Sequence, residues 1–122
     1  MDDRDPSSSI SLMRLWGAVE QQLREYVRET GEVTIPLTDL IPLCRSATIK
    51  AERWVRQLEW ANYLVAGESL ARQLQQSYHR RHRSPPRING QEQYSVAQLR
   101  AIADTFVGEA LRELIEQSRG RG

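Results

Sequence analysis

Residues 46–68 read SATIKAERWVRQLEWANYLVAGE, and how this run ends decides the fold. Ser46 or Thr48 carries the side-chain oxygen that caps a helix start. From there Ala51, Trp54, Val55, Leu58 and Ala61 recur at helical spacing on one face, and Lys50, Arg53 and Gln57 share another. Asn62 tolerates the left-handed conformation that stops a helix. "YLVA" (63–66) then reads as a strand and Gly67 as a turn. Beyond it, Leu70, Leu74 and Tyr78 are spaced by four, which favours a helix over 69–78, with the second strand of a hairpin as the alternative.

Upstream, "LTDLIPLCR" (37–45) reads as a short helix with Thr38 as its cap; Pro42 is tolerated only in a first turn, because it has no N–H to give. "EVTIP" (32–36) alternates Val33 and Ile35 with polar residues, a short strand that Pro36 confines to a sheet edge. Before it, Leu12, Leu15, Trp16, Val19, Leu23, Tyr26 and Val27 form one apolar stripe. The spacing predicts a helix over 12–29, capped by Ser9 or Ser11 and closed by Gly31 in a left-handed conformation. Residues 1–9 are acidic and polar and are expected to be a disordered tail. Downstream, Asn89-Gly90 marks a turn. Ser95 and Gln98 form a capping box for a last helix over 95–118, whose apolar stripe runs from Val96 to Ile115. Trp16, Val19, Leu23, Leu58 and Phe106 are expected to be buried together.

The order helix, short strand, short helix, helix, strand resembles a winged helix-turn-helix domain. The residues that carry the resemblance are PLTDLIPLCRSATIKAERWVRQLEWANYLV (36–65). Leu58, Glu59, Ala61, Asn62 and Leu64 are similar to the family's close of the recognition helix and entry into the first wing strand. The link between the two middle helices would be Cys44-Arg45-Ser46, where the family has a glycine or a short polar turn. The resemblance implies a mainly α fold: a winged helix-turn-helix with short β elements over 10–78, a basic loop over 79–94, and a long C-terminal helix that oligomerises. It further implies binding of double-stranded DNA, with Arg45, Ser46, Thr48, Lys50, Arg53 and Gln57 offered to the major groove, and a homodimer or a place in a larger complex. Glu52 and Glu59 on the same helix oppose phosphate, so a solvated face of mixed charge is the plainer alternative. Winged helices also serve as protein-binding modules.

Net charge is only +1 over 122 residues, so bulk charge selects no partner. The cations are sixteen arginines and Lys50; a GC-rich genome is the bland reading, phosphate or carboxylate recognition the pointed one. From Ser69 to Gln91 there is no acid, and "SYHRRHRSPPR" (77–87) holds four arginines. Arg80, Arg81, Arg83 and Arg87 are candidate phosphate contacts on DNA, or on RNA; a solvated linker is the alternative. His79 and His82 have no carboxylate nearby in sequence and no third ligand, so no metal and no cofactor is expected. No phosphate loop, HExxH or nucleophile elbow occurs, so the chain is not expected to be an enzyme, and the lone Cys44 reads as a small buried residue. No apolar run approaches the ~20 residues of a membrane span, and a single cysteine, which allows no intrachain disulfide, suits a cytoplasmic protein. The competing class is a small helical adaptor subunit of a multiprotein or ribonucleoprotein assembly. A hairpin across 63–75 favours the winged helix, and a continuous helix there favours the adaptor.

Overall fold

The computed structural model of the chain describes residues 6–51 and 60–120, and the side chains of 10–51 and 67–120. Among them the protein is mainly helical, with a small three-stranded antiparallel sheet.

The stripe of Leu15, Trp16, Val19 and Leu23 buries one face of α1 (Pro6–Thr30). Pro6 opens this helix, where a missing N–H costs nothing. The start therefore precedes Ser9 and Ser11, and the part of the expected tail from Pro6 onward is helical. Gly31 closes α1 as expected, with φ +71 and its N–H donating to the Val27 carbonyl at 2.8 Å. The edge strand β1 (Thr34–Pro36) follows.

The middle of the chain departs from the sequence reading. α2 (Leu37–Lys50) is one helix that runs through Cys44, Arg45 and Ser46, so these residues are no link, and neither Ser46 nor Thr48 is a cap. Pro36 stands at the N-cap without a side-chain bond, and Asp39 in the first turn complements the helix dipole. Thr38 lies inside the helix and donates its hydroxyl to Gln91 Oε1 at 2.9 Å. Pro42 also lies inside, five residues past Leu37 and beyond the first turn, and the helix forgoes a backbone hydrogen bond there. Burial of Leu40, Cys44 and Ala47 along one face offsets that loss.

α3 (Trp60–Arg81) takes in Asn62 and residues 63–66, so the expected helix stop and strand are absent. The strand reading rested on the β-propensity of a few residues. The helix is anchored instead by Leu70, Ala71, Leu74 and Tyr78, a buried face at helical spacing. Gly67 is no turn: it is where α3 crosses α2. A Cβ on Gly67 would lie 2.8 Å from Arg45 Cα and 2.9 Å from its backbone nitrogen.

The hairpin comes later than expected. β2 (Arg87–Ile88) and β3 (Gln91–Ser95) are joined by Asn89 and Gly90, with φ 54 and 78, the paired left-handed residues of a type I′ turn. The expected basic loop over 79–94 is thus the end of α3, a connector and a hairpin. β1 completes the sheet in the order β1-β3-β2, with Ile35 opposite Tyr94.

The long α4 (Val96–Gly120) starts at Ser95, whose Oγ accepts the Gln98 N–H at 3.4 Å. It packs antiparallel to α1. Trp16 meets Phe106 with ring centroids 4.6 Å apart, and Glu20 Oε1 accepts from Arg24 and Arg100, both at 3.0 Å. Trp16, Val19 and Leu23 are buried as expected, with Phe106 partly buried against them; Leu58 lies outside the described residues.

The α2–α3 crossing makes a test with an unusual sign. On helix propensity alone Gly67→Ala stabilises by about 1 kcal/mol. At this crossing the methyl meets backbone, so the variant should instead lose about 1–3 kcal/mol, as overpacking does. Denaturant titration decides, and a variant more stable than wild type would show that the two helices part freely.

Candidate nucleic-acid interface

Of the six residues expected on a reading face, four lie among the described residues, and they differ in how open they are. Thr48 is buried and donates its hydroxyl to the Arg45 carbonyl at 2.6 Å, so it offers nothing to a ligand. Arg45 is half-buried against Gly67. Lys50 is exposed, but its Nζ lies 3.7 Å from Glu25 Oε2 on α1. Ser46 is exposed on α2. Arg53 and Gln57 lie outside the described residues.

A different surface answers the description better. α3 buries Leu70, Leu74 and Tyr78, and this turns Ser69, Arg72, Gln73, Gln76 and Arg80 outward along its length. The only carboxylate on the described part of α3 is Glu68, which pairs with Arg72 at 3.6 Å. At the helix end Arg80 and Arg81 are exposed, followed by exposed Arg83 in the connector. Arg80 Nη2 donates to Ser77 Oγ at 3.2 Å.

The acid-free run from 69 to 91 is not free of acid in space. The hairpin register sets Arg87 opposite Glu92, with Nη2 and Oε1 3.7 Å apart. Glu92 Oε2 also lies 3.2 Å from His79 Nε2 on α3. Sequence separation hid this carboxylate from His79, yet a signal was present: an Asn-Gly type I′ turn pairs 88 with 91 and 87 with 92. Of the five arginines in the run, Arg80, Arg81 and Arg83 have no carboxylate partner among the described residues.

The same network fastens the hairpin to α3. Gln75 Nε2 donates to the Tyr94 hydroxyl at 2.8 Å, and His79 Nε2 lies 3.3 Å from that oxygen. The Tyr78 and Tyr94 rings meet edge to face at 5.1 Å, and the Tyr78 hydroxyl accepts the Ser95 N–H at 3.3 Å. Burial raises the Tyr94 phenol above its ordinary pKa; the Gln75 hydrogen bond works against this and Glu92 adds to it, so the group stays neutral. His82 packs on Tyr78, ring centroids 4.9 Å apart. Among the described residues no group of three or more His, Cys, Asp or Glu side chains is gathered as a metal site would need.

No helix of the described residues is long and apolar enough to cross a membrane. Compared with family models, curated proteins and solved structures, the chain has no significant match.

Cys44 is fully buried on α2, and burial pushes its thiol up to about 12. Almost no thiolate exists near neutrality, which removes the nucleophile. Native protein at pH 8 should react with a chromogenic disulfide at least about a hundredfold more slowly than protein in denaturant. The unfolded thiol ionises near 9. Its burial therefore favours the fold fully below that pH, and this contribution is lost as pH rises towards about 12. A native reaction rate equal to the unfolded one would place the thiol at the surface.

Proposed function

We propose that the chain is a winged helix-turn-helix protein that binds double-stranded DNA, as a regulator or as a component of a DNA-processing machine. The element order α1-β1-α2-α3-β2-β3-α4 and the sheet order β1-β3-β2 support this fold reading. In it, α2 and α3 are the helix pair, and the β2–β3 hairpin is the wing. The continuous helix across 63–75 is the outcome that favours the helical adaptor; the winged-helix reading rests instead on the later β2–β3 hairpin, with α3 as the recognition helix. Its outer residues suit base readout, since Gln73 and Gln76 can bond adenine in the bidentate mode and Arg72 can bond guanine.

The observation that carries the reading is the exposed cluster of Arg80, Arg81 and Arg83, without carboxylate partners among the described residues, between the end of α3 and the hairpin. Cations placed there meet the sugar-phosphate backbone on either side of a helix lying in the groove, which positions the protein without specifying sequence. Arg87 contributes less, because Glu92 already partners it.

Electrophoretic shift on duplex DNA, single-stranded DNA and RNA at several salt concentrations tests the proposal. Each phosphate contact adds about 0.9 to the slope of log affinity against log salt. Replacing Arg80, Arg81 and Arg83 with Gln should weaken duplex binding for all sequences alike and flatten the slope by up to about 3. Glu92→Gln should do the reverse, freeing Arg87 to tighten binding and steepen the slope by about 0.9. Gln73→Ala with Gln76→Ala should relax sequence preference and leave the slope in place. Unchanged binding by the triple arginine variant makes the connector a linker only, and preference for RNA over duplex moves the chain to the ribonucleoprotein class.

A further inference from the structure

α1 covers only one face of α4. Val96, Leu99, Ile102, Ala103 and Ala110 are buried, but Leu111 and Ile115 remain 44% and 45% exposed. These two lie on one exposed stripe with Asp104, Gly108 and Arg119, at spacings of four, three, four and four. At 3.6 residues per turn the five fall within about 80° of the helix surface.

Gly108 is the unexpected member. A glycine inside a helix is destabilising relative to alanine, and nothing among the described residues requires it: a Cβ there would meet none of their atoms within 4 Å. What a bare backbone does permit is close approach of another helix.

We infer that this stripe is the contact between two copies of the chain, with α4 packed antiparallel on the α4 of a second copy about a two-fold axis between Leu111 and Arg112. A two-fold contact is self-complementary by construction: residue i meets j, and j meets i. About this axis Gly108 faces the partner's Ile115, so a branched apolar side chain of the stripe lands on its smallest residue. Asp104 faces the partner's Arg119, which gives two opposite-charge pairs at the ends. The two Leu111 side chains flank the axis. Register and charge thus select a second copy of this chain as the occupant.

This contact does not depend on nucleic-acid binding, so it is tested on the protein alone. Sedimentation velocity of the full chain across the micromolar range should show a monomer–dimer equilibrium. Ile115→Glu should raise the dissociation constant at least about tenfold, as loss of a central apolar anchor does; because the side chain is exposed, the monomer should keep its helical circular dichroism. Asp104→Arg and Arg119→Asp should each weaken the dimer, and the two together should restore it. For the register, chains carrying Gly108→Cys and chains carrying Ile115→Cys should form a disulfide-linked dimer when mixed and oxidised, and neither should do so alone. A chain monomeric at every concentration overturns the inference. So does an Ile115→Glu variant that dimerises as wild type, a charge-swapped pair that stays weak, or a Gly108→Cys chain that cross-links to itself.

Discussion

The edge-to-face contact of Tyr78 with Tyr94 joins the two halves of the molecule. Tyr78 belongs to the last turns of α3 and Tyr94 to the middle strand of the sheet, and both are buried. Each ring has a hydroxyl that must find a partner once buried. Tyr78 takes the Ser95 N–H, just before α4 begins, and Tyr94 takes Gln75, one turn back on α3. The pair therefore fixes the hairpin to the end of α3 and the start of α4 to the same point. Ile35, opposite Tyr94 in the ladder, brings β1 and with it the end of α1 to this junction. The proposed groove-facing surface inherits its shape from here, because the arginines after α3 and the hairpin beside them are held from one place.

A second constraint acts at the other end of α3. Close approach to Arg45 at Gly67 sets how α3 lies across α2. α3 is thus pinned near its first third by backbone contact and near its last turn by aromatic contact. Between these points its outer residues pair with neighbours on the same helix, Arg72 with Glu68 and Gln73 with Ser69.

The outer elements were legible because each is written locally. α1 and α4 carry long apolar stripes with recognisable ends, Gly31 for one and Ser95 with Gln98 for the other. β1 was legible through alternation ending in a proline, and the hairpin turn through Asn89-Gly90. The centre was not, since its signals conflict. Pro42 and the Cys44-Arg45-Ser46 segment suggest an interruption that burial of Leu40, Cys44 and Ala47 overrides. Asn62 and the apolar run after it suggest a stop and a strand that α3 overrides. Gly67 looks like a turn until its neighbour across the crossing is known. The described residues of the first set lie on α2, and the proposed surface lies on α3. Of the first set, Thr48 is buried and Lys50 pairs with Glu25, whereas Arg80, Arg81 and Arg83 are exposed as expected. Glu92 was overlooked because charge was summed along the chain, while opposition acts through space.

The middle strand has neighbours at very different distances along the chain. β2 is reached through two residues, but Thr34 on β1 meets Gln93 across 59. Closing the longer loop costs about 3 kcal/mol more chain entropy by the logarithmic law. A hairpin with a two-residue turn forms in about 1–10 μs, with no help from distant sequence. β1 cannot join until α2 and α3, which lie between it and β3, have folded enough to return it to the sheet. Half of this small sheet is therefore a local unit available early in folding, and the other half records the arrival of the helices, a late event in a chain whose contacts are otherwise mostly near neighbours.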